Sequence, residues 1–166
     1  MSARTQRQPF WKTKKLDEMT PSEWESLCDG CAKCCLVKLE NEDTRELYFT
    51  SLACKLLDCK TAQCRDYPNR KKYVPICVKL TPKIVAEVDW LPDSCAYRLV
   101  HEGKDLHDWH HLVCGDREEV HRRGFSARGR VRSEEGVDDE EAMNYLIDWF
   151  HGPPRKPARK VRVRRK

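Results

Sequence analysis

The chain has 166 residues, of which 39% are hydrophobic and 36% are charged, so it can bury one small core with little apolar surface to spare. No stretch approaches the roughly 18 consecutive apolar residues that a transmembrane helix needs. The basic first fifteen residues also lack the apolar segment of a secretory signal. We therefore expect neither a membrane protein nor an exported one, and we expect a cytoplasmic location.

The net charge of +5 is divided unevenly along the chain. Residues 1–15 hold five basic and no acidic residues, residues 151–166 hold eight basic and no acidic ones, and the stretch between them holds 19 basic and 27 acidic residues. This layout predicts a basic flexible arm at 1–15, one domain at 16–150 and a disordered basic tail at 151–166. The tail could attract nucleic acid weakly and without sequence choice, but a merely solubilising extension is the better explanation, because no aromatic residues interleave its charges.

The helix signals of the acidic stretch are short and follow one another along the chain. Thr20, Pro21 and Glu23 predict a capped helix that Gly30 ends. Thr81-Pro82 predicts a second helix as far as Trp90. Further helices are predicted at 94–103, at 105–123 (either continuous or broken near Gly115) and at 138–150, and strands at 47–49 and near Val131, with residues 53–80 rich in loops. We therefore expect a small helix-dominated α fold (or α+β with minor strands) that is a cysteine-rich, metal-organised single domain.

Ten cysteines are an unusual number for a chain without an export signal, because structural disulfides are rare in the reducing cytoplasm. Metal binding is the expected alternative. Four of the ten form a CxxCxxCC motif at Cys28–Cys35. Thiolates three residues apart can meet at one metal ion where a tight turn folds the backbone beneath it, and Gly30 permits such a turn. Inert buried thiols would explain this density of cysteines poorly.

Single cysteines follow the motif, and their spacing leaves the metal open. Structural zinc sites commonly combine two CxxC pairs, whereas a CxxCxxC run closed by distant cysteines is typical of iron–sulfur clusters. The presence of a single CxxCxxCC motif slightly favours an iron–sulfur cluster over zinc. The candidate metal ligands are Cys28, Cys31, Cys34, Cys35, Cys54, Cys64, Cys77 and Cys95.

These cysteines, together with Cys64-Arg65-Asp66-Tyr67 and Trp90-Leu91-Pro92 leading to Cys95-Ala96-Tyr97-Arg98, resemble the YcgN/YkgJ-like bacterial proteins. The resemblance covers about residues 10–125 and is closest to the YcgN type. It implies a domain that chelates zinc or iron, and the eight cysteines above match its pattern. It implies no reaction; flagellin lysine methylases belong to a related group, but this chain is much shorter and shows no methyl-donor motif. Cys59, Cys114 and the basic tail fall outside the pattern.

Histidines and arginines supply weaker candidates. His107 with His111, and His110 with Cys114, have the helical spacing of a metal-binding pair, although surface or core histidines explain the string more simply. Three arginines lie near cysteines in the sequence and could offset thiolate charge or simply face solvent: Arg65, Arg70 and Arg98. No catalytic set stands out. The sequence leaves a possible reaction, the protein partner and the oligomeric state open; a structural zinc module with a regulatory role is the alternative function.

Overall fold

A computed structural model describes residues 7–150 and 163–166. By its internal contacts the chain forms two compact units. Unit 1 is Met1–Asp29 with Leu80–Glu119, and unit 2 is Gly30–Lys79 with Val120–Lys166. Within the described residues, no helix is both long and apolar enough to cross a membrane.

The described elements are short, and β1–β4 and α3–α7 each follow one another along the chain. The helices are α1 (Phe10–Thr13), α2 (Pro21–Ser26), α3 (Arg70–Tyr73), α4 (Pro82–Glu87), α5 (Ala96–His101), α6 (His111–Cys114), α7 (Glu119–Arg122) and α8 (Asp139–Ala142). The strands are β1 (Leu36–Asn41), β2 (Leu47–Ala53), β3 (Leu57–Asp58), β4 (Gln63–Cys64), β5 (Arg132–Ser133) and β6 (Val163–Arg165). Three 3-10 helices lie at Leu16–Glu18, Lys33–Cys35 and Met143–Tyr145.

The expectation of a helix-dominated, metal-organised fold is wrong. The described residues are mixed α/β, and an apolar core on a four-stranded sheet organises unit 2. The helices are shorter than expected because proline, glycine and cysteine-rich turns interrupt them. The helix expected at 105–123 is broken into α6 and α7 at Gly115, which has φ of +80°. The helix expected at 138–150 is reduced to α8 and one 3-10 turn.

In unit 1 the described elements are helical. The predicted capping box of α2 is confirmed: the Glu23 backbone N–H donates to Thr20 Oγ1 (3.2 Å), and the Thr20 N–H donates to the Glu23 carboxylate (2.9 Å). α2 packs on α5, because the ring of Trp24 lies 4.5 Å from that of Tyr97 and the Tyr97 hydroxyl donates to the Trp24 carbonyl (2.9 Å). These contacts join segments that are distant in sequence into one helical unit.

Unit 2 is built on a sheet with the strand order β5-β2-β1-β6. β1 runs antiparallel to both β2 and β6, and β5 pairs in parallel with β2. One apolar cluster contains Leu39, Leu52 and Ala142, and another contains Leu36, Ala53 and Phe150. β1 was missed by the sequence analysis because its residues, LVKLEN, do not alternate between apolar and polar.

The last described residues are held to the sheet by charge. Glu40 of β1 is buried, and its carboxylate pairs with Arg164 (2.7 Å), Arg45 (3.0 Å) and Lys166 (3.0 Å). Hydrogen bonds from Arg164 and Lys166 lower the pKa of Glu40 to about 2. Residues 1–6 and 151–162 lie outside the described residues, so the arm, domain and tail boundaries stay a prediction.

We expect Leu52→Ala to lower the free energy of unfolding by about 3 kcal/mol, because a fully buried leucine of β2 leaves a cavity in the sheet core. Urea unfolding followed by circular dichroism measures the change. Val113→Ala is the control, since Val113 is largely exposed and should change stability little. Equal losses in the two variants would contradict a core centred on the sheet.

Candidate metal centre

The CxxCxxCC motif enters unit 2 through a tight turn. Gly30 has φ of +79° and Ala32 has φ of +59°, both in the left-handed region. The Cys35 N–H donates to the Ala32 carbonyl (3.1 Å) and closes the 3-10 helix. The Ala127 N–H donates to the Cys31 carbonyl (2.8 Å) and holds the turn from a second segment. Backbone hydrogen bonds thus hold the motif in place.

The register of β1 and β2 brings Cys54 to the motif. Leu36 pairs with Ala53, and the Cys54 N–H donates to the Cys35 carbonyl (2.9 Å). The register shifts between Leu36 and Lys38, as at a β-bulge. Bulges commonly redirect side chains near binding sites. The first residue after β2 therefore lies beside the last cysteine before β1.

Cys64 and Cys77 lie in a hairpin and a turn that follow Cys54 along the chain. β3 pairs antiparallel with β4, so that Cys64 is opposite Leu57, whose N–H donates to the Cys54 carbonyl (2.8 Å). After α3, the Cys77 N–H donates to the Val74 carbonyl in a turn (2.9 Å). The β3–β4 hairpin thus places Cys64 next to the segment that begins at Cys54, and Cys77 lies in a turn that follows it.

The electrostatics identify these cysteines as neighbours. A hydrogen bond with Cys34, burial, and the charges of Cys34 and Cys54 raise the pKa of Cys35 well above its usual range. Burial raises the pKa of Cys54, and the charges of Cys77 and Cys64 contribute in the same direction. We call Cys34, Cys35, Cys54, Cys64 and Cys77 the thiol group of unit 2. Thiols this close together would release their protons if a cation bound among them.

A buried lysine, Lys38, lies beside the thiol group, and the sequence analysis missed it. Lys38 in β1 is 7% exposed, and its ammonium donates to the carbonyls of Leu36 (2.8 Å) and Cys34 (3.1 Å). Burial lowers its pKa, while the charges of Cys34 and Cys35 act in the opposite direction. The available signal was a single lysine inside the apolar stretch Leu36–Leu39.

The other cysteines lie in different surroundings. Cys31 lies in unit 2, and Cys28 and Cys95 lie in unit 1, so their ligand roles stay predictions. Cys59 packs against the apolar cluster that contains Leu57. Cys114 is exposed, and its thiol donates to the Trp109 carbonyl (3.4 Å).

All ten cysteines lie in the described residues, and none forms a disulfide. In residues 7–150 and 163–166, no three Cys, His, Asp or Glu side chains form a ready metal-binding group. The donor set itself suits zinc or iron, because soft thiolates are the ligands these metals take in zinc and iron–sulfur sites.

The histidine segment is organised by backbone contacts in unit 1. Nδ1 of His110 accepts from the Leu112 N–H (3.1 Å), so its protonated Nε2 donates to the Leu27 carbonyl (2.9 Å). Both nitrogens of His110 are thus engaged, and the predicted His110–Cys114 metal pair would have to break these bonds. Among the described residues, neither buried ring nitrogen of His111 has a hydrogen-bond partner.

Two of the three candidate arginines have structural contacts. Arg98 donates to the Leu91 carbonyl (2.8 Å) and pairs with Asp93 and Glu102, which fixes the start of α5. The guanidinium of Arg70 lies 3.9 Å from the centre of the Tyr67 ring. Compensation of thiolate charge by Arg65, Arg70 and Arg98 stays a prediction, and Lys38 is a further cation beside the thiol group.

Comparisons with known proteins agree with the cysteine pattern. Residues 27–96 match the CxxCxxCC family model, whose description is "Putative zinc- or iron-chelating domain". A UPF0260 protein of Allorhizobium ampelinum is 58% identical over 142 residues, covering 86% of this chain and 89% of the relative. The chain belongs to the UPF0260 family. A UPF0260 protein of Brucella canis is 60% identical over 141 residues, covering 84% of this chain and 93% of the relative. No solved structure matches this UPF0260 chain.

We expect the stability of this UPF0260 protein to fall between about pH 6.5 and about pH 4, partly through His111. Burial, with the charges of His110 and Arg117, lowers the pKa of His111 from 6.5 to about 4, and the nearby Ser26 backbone opposes this shift without a hydrogen bond of normal geometry. A histidine with a depressed folded-state pKa takes up its proton mainly on unfolding, so its contribution is complete above the unfolded-state pKa and is lost below it.

The measurement is urea unfolding of wild type and His111→Leu across this range. On acidification, the free energy of unfolding of the variant should fall by about 1 kcal/mol less than that of wild type. This is less than the full pKa shift of His111 would give, because the ring is partly exposed. His101→Leu, at an exposed position, is the control and should keep the wild-type slope. An unchanged slope in His111→Leu would count against this account.

Proposed function

We propose that this protein binds zinc or iron through the thiol group of unit 2, and that an iron–sulfur cluster is the preferred form. The observation that carries the proposal is that three cysteines from separate turns, Cys35, Cys64 and Cys77, are neighbours of Cys54 and form no disulfide with it. The description of the matching family model, a zinc- or iron-chelating domain, supports the same chemistry. The residues that would hold the metal are drawn from Cys34, Cys35, Cys54, Cys64 and Cys77.

The preference for an iron–sulfur cluster follows from the positions of the cysteines in the sequence. One tetrahedral zinc ion takes four ligands, commonly from two CxxC pairs. Here the thiol group combines the last two cysteines of the CxxCxxCC motif with three single cysteines. This pattern is closer to iron–sulfur ligation than to a zinc site built from two CxxC pairs. A bound cluster would supply one-electron redox chemistry, whereas a zinc ion would supply a redox-inert crosslink and the regulatory alternative.

The position of Lys38 favours a metal centre that carries net negative charge. Several thiolates around a divalent ion or a cluster carry net negative charge, and a neighbouring ammonium group reduces the energy of burying that charge. The ammonium already lies at the carbonyls of Cys34 and Leu36, so it needs no rearrangement to act on the bound centre. The apolar sheet supports unit 2 independently, and a metal would add stability by binding the folded state.

The first experiment measures iron, zinc and acid-labile sulfide in protein purified without air. Iron and sulfide in similar amounts, with visible absorbance that bleaches on reduction, are expected. Zinc without sulfide would instead support the alternative, a redox-inert zinc ion that crosslinks the chain. Protein that contains neither metal, and binds neither when supplied, would refute the proposal.

We expect Cys54→Ser to retain less than about a fifth of the wild-type metal, because Cys54 is the neighbour shared by Cys35, Cys64 and Cys77. The same assay on Cys114→Ser is the matched control, since that exposed thiol lies in unit 1. Circular dichroism verifies that both variants keep the sheet. Equal metal contents in folded Cys54→Ser and wild type would exclude Cys54 as a ligand.

Lys38→Met should change metal affinity and metal-free stability in opposite directions. Loss of the ammonium is expected to weaken metal binding about 10- to 100-fold, as for other groups that surround metal ligands. The metal-free variant should be at least as stable as wild type, because a buried charge has been removed. Competition with a chelator and thermal unfolding measure the two effects.

The exposed Lys55→Met is the control for the loss of one charge. Equal metal affinity of Lys38→Met and wild type would contradict the role assigned to Lys38. A parallel loss of stability in the metal-free variant would instead indicate a purely structural lysine.

A further inference from the structure

Residues 65–79, which we call the basic aromatic segment, include Cys77 of the thiol group and also carry exposed side chains that are not metal ligands. The described residues contain six exposed large hydrophobic side chains, and four of them belong to this segment. They are Tyr67 (51% exposed), Tyr73 (48%), Ile76 (72%) and Val78 (43%). A concentration of apolar groups on so short a stretch is typical of a binding surface.

The segment is also strongly basic. It holds Arg65, Arg70, Lys71, Lys72 and Lys79 against a single acid, Asp66. The Asp66 carboxylate accepts a hydrogen bond from the Asn69 side chain (3.0 Å). A partner of opposite charge would therefore meet a surface with a clear positive excess.

The cations and the aromatic rings interleave. The guanidinium of Arg70 lies 3.9 Å from the centre of the Tyr67 ring, and the ammonium of Lys72 lies 5.8 Å from the centre of the Tyr73 ring. Lys71 is exposed between these pairs. Alternation of this kind offers flat rings for stacking and positive charges for phosphates within a few residues.

The backbone of the segment is ordered before any partner binds. The Arg65 N–H donates to the Leu56 carbonyl (2.8 Å), and the Val74 N–H donates to the Arg70 carbonyl at the end of α3 (2.8 Å). Cys64 in β4 and the turn at Cys77 join the two ends to the thiol group. The tyrosines are thus presented on a fixed backbone, which reduces the entropy lost on binding.

We propose that the basic aromatic segment binds single-stranded nucleic acid, with phosphates at Lys71 and Lys72 and bases stacked on Tyr67 and Tyr73. An acidic protein would use the charge but would not need both exposed rings beside cations. The interleaving of rings with positive charges therefore favours nucleic acid. This binding is sequence-tolerant and sensitive to salt.

The test measures binding of the full chain to fluorescently labelled oligouridylate and oligodeoxythymidylate by anisotropy. The basic residues at 151–166 also attract polyanions, so the decisive variants leave every charge unchanged. Tyr67→Leu with Tyr73→Leu should raise Kd at least about tenfold, because two stacking faces are lost. The matched control, Tyr67→Phe with Tyr73→Phe, keeps both rings and should stay within about twofold of wild type.

A second pair of variants tests the phosphate contacts. Lys71→Gln with Lys72→Gln should reduce the slope of log K against log salt by about 1.4, two phosphates at about 0.7 each. Lys55→Gln with Lys60→Gln, at exposed positions outside the segment, should leave the slope close to that of wild type. Melting curves verify that the surface variants remain folded.

Two results would overturn the proposal. One is a Kd for the double leucine variant equal to that of wild type, which would assign any binding to general charge. The other is competition by polyglutamate as effective as that by polyuridylate at equal charge, which would identify an acidic protein as the fitting partner. Neither outcome depends on metal content, so the proposed metal site is tested separately.

Discussion

The antiparallel pairing of β1 with β2 is the constraint on which the candidate site depends. Because Leu36 pairs with Ala53, the cysteine before one strand meets the cysteine after the other, and the backbone bond from Cys54 to Cys35 holds them together. A slip of one residue would turn alternate side chains to the opposite face and separate the two positions. The buried leucines of both strands oppose such a slip, so the apolar core and the thiol group specify the same register.

The placement of Lys38 shows how this arrangement balances charge. An ammonium inside an apolar sheet is costly, and two backbone carbonyls offset that cost only in part. Thiols that lose their protons on binding a cation would add negative charge beside it. In the proposed metal site, the same residue would oppose stability without metal and favour the metal-bound state.

Local signals in the sequence predicted local structure well and long-range pairing poorly. The cap at Thr20 and the break at Gly115 follow from single residues, and both were predictable. β1 was not predictable, because its burial comes from β2 on one side and β6 on the other rather than from an alternating pattern. The CxxCxxCC cysteines could be selected by spacing and the single cysteines by the family resemblance, but the grouping of Cys35, Cys64 and Cys77 around Cys54 required the strand register. Lys38 gave too weak a signal, since one lysine in a short apolar stretch is common at surfaces.

The thiol group lies within residues 34–77, and hairpins and tight turns between near neighbours build it. Loops of this length close quickly, and structures rich in local contacts fold early. During synthesis these cysteines would gather while β5 and β6 are still being translated. The nascent chain would then present these thiols before the sheet is complete, so the timing of translation would affect how the proposed metal site is loaded.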